Sequence, residues 1–244
     1  MRNPRIYTPE ALAAGVTLAL DETAAHHVGK VLRMQPGQPL VLFNGDGNDY
    51  PSELAEVGKK SVSAQILDAV PNRTESPLRI VLGQVISKGD RMDYAVQKSV
   101  EMGVDTIVPL TSERCDVRLK GDREDKRVRH WQSVAISAAE QCGRARVPTV
   151  EPVQSLDDWF HYSAHCDCRL VLHHRTTQAL GSLATPAQGV ALLIGPEGGL
   201  TAEEIQAAEA AGFLATALGP RVLRTETAPV AAMALCQWLW GDGQ

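Results

Sequence analysis

Five consecutive apolar residues, Val190, Ala191, Leu192, Leu193 and Ile194, run directly into Gly195-Pro196-Glu197-Gly198-Gly199, and this junction constrains the fold more than any other stretch of the chain. An unbroken apolar run of that length reads as a strand covered on both faces. It cannot continue past the junction, because Pro196 has no amide proton and glycine favours conformations open to few other residues. A helix start follows at once. Thr201 suits the N-cap, Glu204 three residues later completes a capping box, and Leu200 and Ile205 occupy the positions of a hydrophobic staple. Gly212 stands where such a helix stops, and residues 213–218 read as another strand. The unit is strand, glycine turn, helix, strand. Its turn lies at the strand's carboxyl end, where open α/β sheets bind ligands.

The turn lacks both G-x-x-x-x-G-K-[ST] and G-x-G-x-x-G, which speaks against a phosphate-binding loop and a dinucleotide fold. Glu197 would repel a polyanion but tolerate a neutral base, a ribose hydroxyl or a cation. A purely structural tight turn also accounts for such a glycine cluster. Downstream, Leu218-Gly219-Pro220-Arg221-Val222-Leu223-Arg224-Thr225-Glu226-Thr227-Ala228-Pro229 packs two arginines, a glutamate and two threonines between a strand and the last helix. That segment is too polar to be core.

The two stretches LLIGPEGGLTAEEI and LGPRVLRTETAP carry a clear resemblance to the SPOUT superfamily of S-adenosylmethionine methyltransferases. Within it, the chain resembles the family that methylates N3 of a uridine in small-subunit ribosomal RNA. Weaker matches are HHVGKVLRM at 26–34, KGDRMD at 88–93, EMGVDTIVPLTSERC at 101–115 and EQCGR at 140–144. Cys115 and Cys142 stand where the family usually has serine. The resemblance implies an α/β fold made of a small N-terminal PUA-like β-barrel over 1–71 and a SPOUT domain over 72–244, whose parallel sheet ends in a C-terminal trefoil knot. It implies S-adenosylmethionine held by Leu172, His173, Ile194, Gly195, Glu197, Gly198, Leu218, Gly219, Arg221, Leu223, Thr227 and Ala228. It also implies a homodimer, in keeping with a last helix, APVAAMALCQWLW, that is apolar nearly all round. Ribose 2′-O methylation by relatives with the same knot, and RNA binding without catalysis, are the alternative functions.

The chemistry names the catalytic candidates. Methyl transfer to a uridine nitrogen needs N3 as an anion, yet that imide keeps its proton at neutral pH. A carboxylate could take the proton and an arginine could stabilise charge spreading to the carbonyl oxygens. Arg224 is assigned to the anion, and Glu226 to the base or to orienting Arg224. A structural Arg224–Glu226 ion pair is the competing reading.

The remaining stretches describe the setting. Residues 23–33 read as a short helix, and 39–43, 50–57 and 61–70 as strands separated by turns, which suits a small barrel. Residues 71–77 read as a linker, after which strands and helices alternate as in a mostly parallel sheet covered on both faces. A helix capped by Asp90 buries Met92, Ala95, Val96, Ser99 and Val100. The net charge of −5 does not advertise a nucleic-acid binder, so RNA contacts must be local. Arg2, Arg5, Lys30 and Arg33 in the barrel, and Arg114, Arg118 and Arg144 beyond it, are the candidates, against ordinary surface charge. His161, His165, Cys166 and Cys168 have a poor zinc spacing and read as a solvated helix end without metal. With no leader-like start and no apolar run near ~20 residues, a cytoplasmic protein acting on small-subunit ribosomal RNA or the assembled subunit is expected.

Overall fold

The computed structural model describes residues 3–58, 61–173, 176 and 180–244. Two compact units emerge, one comprising Met1–Glu75 with Ala139–Val147 and the other Ser76–Ala138 with Pro148–Gln244.

The first unit is a mixed six-stranded sheet. Strands β1 (Arg5–Tyr7), β2 (Thr17–Ala19), β3 (Pro39–Phe43), β4 (Asn48–Val57) and β5 (Val62–Ile66) pair in the order β1-β3-β4-β5-β2, and β6 (Val70–Pro71) pairs with β4. Alternation decides which face is buried: in β5, Val62, Ala64 and Ile66 point inward while Ser63 and Gln65 point out. A core of Ile6, Leu20, Val28, Leu40, Leu42, Tyr50 and Leu54 fills the inner face. The expected helix over 23–33 splits into α1 (Glu22–His26), N-capped by Asp21, and a π-helical turn over His27–Val31.

The segment expected to be a linker is tied down. Asn72 donates to Asp49 Oδ2 (3.0 Å) and to the Gly143 carbonyl (3.1 Å), and Glu75 receives two bonds from Arg144 (2.7 and 3.1 Å). These polar partners satisfy backbone and side-chain groups that a free linker would leave to water.

The second unit is a parallel sheet in the order β12-β10-β11-β7-β8-β9. Its strands are β7 (Ile80–Val85), β8 (Thr106–Leu110), β9 (Thr149–Val150), β10 (Cys168–Leu172), β11 (Val190–Ile194) and β12 (Leu214–Thr216). Every residue of β7, β8 and β11 is buried, as expected of strands covered on both faces. The helices are α2 (Asp90–Glu101), α3 (Asp122–Cys142), α4 (Leu156–Tyr162), α5 (Ala202–Ala210) and α6 (Thr227–Trp240). The buried face of α2 is the expected one: Met92, Ala95, Val96, Ser99 and Val100. Its start differs, because Gly89, at φ 58°, occupies the N-cap in place of Asp90, which falls in the first turn. A glycine accepts that backbone where another residue would be strained. Helix α5 carries the full capping box of Thr201 and Glu204.

Candidate active site

All six strands of the second unit run the same way, so the loops at their carboxyl ends share one edge. A cavity of about 800 Å³ opens there, within the range of about 300–1,000 Å³ usual for small-molecule sites. Three segments build most of it: the end of β10 (Leu172, His173), the glycine turn after β11 (Ile194 to Leu200) and the stretch from Thr216 to Glu226, Pro220 apart, with Ala228; Arg91, Arg114, Ala202 and Ile205 complete the lining.

The glycine turn is held in its course by sterics. A Cβ on Gly195 would lie 3.1 Å from both Cγ and the backbone nitrogen of Leu200, so a side chain there would push the turn open. Gly199 and Gly219 have φ of 69° and 85°, the left-handed region that favours glycine. Thr225 fastens the downstream loop to this turn. Its buried Oγ1 donates to the Gly195 carbonyl (2.8 Å) and accepts from Gln84 Nε2 (3.0 Å).

The charged lining is a mixed set of Arg91, Arg114, Glu197, Arg221, Arg224 and Glu226. Glu197 Oε1 accepts from the Lys88 backbone N–H (3.0 Å) and from Arg91 Nη1 (2.8 Å). Burial opposes ionisation at Glu197, but the Lys88 N–H and the Arg91 guanidinium outweigh it and hold the carboxyl below its ordinary range. Arg114 Nη1 donates to the Gly198 carbonyl (3.2 Å). The Glu226 side chain is only 17 % exposed; Oε1 lies 3.9 Å from Arg91 Nε, and Oε2 is buried without a hydrogen-bond partner.

Most of the residues named from sequence come together here. Leu172, His173, Ile194, Gly195, Glu197, Gly198, Leu218, Gly219, Arg221, Leu223 and Ala228 line the cavity, as do Arg224 and Glu226. Thr227 does not: it is the exposed first residue of α6, where the helical turn carries its side chain outward. The competing ion pair is also absent, since the cation beside Glu226 is Arg91 and not Arg224. Sequence reasoning missed Arg91 and Thr225. Arg91 lies in KGDRMD, just beyond the carboxyl end of β7, so the edge argument applied to Arg114 would have reached it too.

The basic residues proposed for RNA divide sharply. Arg5 is consumed inside the first unit: its side chain is 6 % exposed, bonds Asp49 at 2.8 Å and the Arg144 carbonyl at 3.1 Å, and lies over the Phe43 ring. Arg144, 7 % exposed, is paired with Glu75 at 2.7 Å. Neither guanidinium is available to a phosphate in this state, because a buried arginine must be paired where it stands. Lys30, Arg33 and Arg118 are exposed, while Arg2 lies outside the described residues. His161 and His165, at and just past the end of α4, are exposed as expected of a solvated helix end, whereas Cys166 and Cys168 are core residues, 2 % and 8 % exposed. Burial pushes the Cys168 thiol up to about 11.

Residues 74–237 match the family described as RNA methyltransferase domain, and residues 20–67 that described as RNA methyltransferase PUA domain. The ribosomal RNA small subunit methyltransferase E of Buchnera aphidicola subsp. Schizaphis graminum is 37% identical over 99% of this chain and 98% of its own length. That of Bacillus subtilis is 28% identical over 93% and 92%. Among solved structures, a ribosomal RNA small subunit methyltransferase E from Neisseria gonorrhoeae bound to S-adenosyl methionine superposes with a TM-score of 0.93 at 42% identity, covering 100% of both chains.

Proposed function

The chain belongs to the ribosomal RNA small subunit methyltransferase E family, and we propose that it methylates N3 of a uridine in small-subunit ribosomal RNA with S-adenosylmethionine as donor. The observation that carries this reading is the cavity at the carboxyl edge of the sheet, where two glycine turns meet Arg224 and Glu226. Its lining suits the donor. Leu172, Ile194, Leu218 and Leu223 offer an apolar wall to a base, Glu197 suits a cation, and Arg114 and Arg221 suit a carboxylate.

When bound, S-adenosylmethionine supplies an electrophilic methyl group on a sulfonium. Glu226 takes the N3 proton, and its Oε2, which has no hydrogen-bond partner, is the acceptor with unused capacity. Arg224, exposed on the same lining, stabilises the negative charge that spreads to the uracil oxygens. Thr225 holds both residues in place through its bond to the Gly195 carbonyl. Gly195, Glu197, Gly198, Gly219 and their neighbours hold the donor, within the trefoil knot that the family resemblance implies.

RNA contacts are assigned to exposed Lys30 and Arg33 in the first unit, the PUA-like part, and separately to exposed Arg114 and Arg118 in the second. A homodimer is supported by the outward apolar residues Leu235 and Trp238 of α6, 41% and 57% exposed, and by Val222 at 72%. No described helix is long and apolar enough to cross a membrane, and a ribosomal substrate supports a cytoplasmic location. The test is incubation with methyl-labelled donor and small ribosomal subunits, followed by nucleoside analysis. Label in N3-methyluridine supports the reading. Label in a 2′-O-methylated nucleoside overturns the position, and no label overturns the activity.

A further inference from the structure

We propose that Arg91 is a positioning residue: anchored on Glu197, it holds the Glu226 side chain in place. This rests on the reading of Glu226 as the base. The geometry is a chain of three charges. Lys88 N–H and Arg91 Nη1 both meet Glu197 Oε1, at 3.0 and 2.8 Å, and this fixes the guanidinium at the start of α2. The planar fork then turns Nε toward Glu226 Oε1 at 3.9 Å, a distance for ion pairing and too long for a hydrogen bond.

Glu226 needs such a neighbour. Its side chain is 17 % exposed and Oε2 has no hydrogen-bond partner, so the cation beside Oε1 is what orients the carboxylate. The charged groups on the same lining are Arg91 from α2, Glu197 from the glycine turn, Arg114 from the loop after β8, and Arg221 and Arg224 from the residues preceding Glu226. Arg91 stands between the two carboxylates and is, among the described residues, the cation paired with both. An arginine suits this place because it stays charged while its fork serves two acceptors at once.

The test uses the full chain, methyl-labelled donor and small ribosomal subunits, with single-turnover rates, donor affinity by calorimetry and melting temperature. Arg91→Gln should slow methyl transfer roughly tenfold or more at neutral pH, with donor affinity within about threefold of wild type. Arg91→Lys should recover part of the rate. In an Glu226→Gln background the Arg91→Gln loss should vanish, because two residues acting as one unit are not additive. Additive losses, or an Arg91→Lys rate no better than that of Arg91→Gln, overturn the proposal. So does a loss of donor affinity or melting temperature that matches the loss of rate. If Glu226→Gln is slow but Arg91→Gln is normal, the role of Arg91 alone is overturned. If Glu226→Gln itself keeps the wild-type rate, the reading of Glu226 as base fails, and this proposal with it.

Discussion

Arg5 and Arg144 of the first unit and Arg114, Arg221 and Arg224 of the cavity are the same residue type put to opposite uses. Arg5 and Arg144 are 6 % and 7 % exposed and spend their donors on Asp49, Glu75 and a backbone carbonyl. Arg114, Arg221 and Arg224 are exposed and line a cavity that also holds two glutamates. The difference is whether the fold brings a carboxylate alongside. An arginine that meets its partner within the unit is neutralised and buried, and one that meets a cavity keeps its charge for a ligand.

The largest effect that would break this contrast is expected at Arg144. Arg144→Ala leaves Glu75 without its cation, and removing one partner of a largely buried pair should cost about 3 kcal/mol in denaturant unfolding. Donor affinity of the folded protein should stay unchanged. Arg224→Ala and Glu226→Ala should do the reverse, cutting turnover by ~10² or more while melting temperature and donor affinity hold. For Glu226→Ala the rate should also recover as pH rises and the imide ionises unaided. If Arg224→Ala lowers the melting temperature as Arg144→Ala does, the two groups of arginines do not differ in kind.

Smaller effects bear on the turns that shape the cavity. Gly219, at φ 85°, has only Arg221 Nη2 within reach of an added Cβ, at 3.8 Å, so Gly219→Val acts through backbone strain and not through crowding. It should cost roughly 1–2 kcal/mol and appear in calorimetry as weakened donor binding. The smallest is electrostatic. The folded carboxyl of Glu197 is held below its ordinary 4.5, so it contributes stability that is present above that value and lost as pH falls through the lowered one. The wild-type advantage in melting temperature over Glu197→Gln should therefore be full at neutral pH and fade in acid. An advantage that persists in acid would mean packing, and not the charge, holds the turn to Arg91.

Much of the second unit was legible because local rules and tertiary packing agree there. The capping box of Thr201 and Glu204, the buried face of α2 and the fully covered strand Val190–Ile194 each follow from spacing alone. The misreadings share a cause. Residues 71–77 are polar and proline-bounded, yet Asn72, Thr74 and Glu75 find partners at Gly143 and Arg144, about 70 positions away. Cys166 and Cys168 looked solvent-facing beside polar neighbours, but both are packed into the core.

The sequence by itself determined the glycine turns, the helix that follows them and the residue types of the catalytic segment, because backbone freedom, capping and charge are local properties. Only the tertiary structure decided which charges face one another. That Arg91 meets Glu197 and Glu226, that Thr225 reaches Gly195, and that Arg5 turns inward to Asp49 each join residues between 30 and 135 positions apart. No periodicity spans such separations; parallel β7 and β11, paired in register from Ile80 with Val190 to Gln84 with Ile194, bring the first of these sets to one edge.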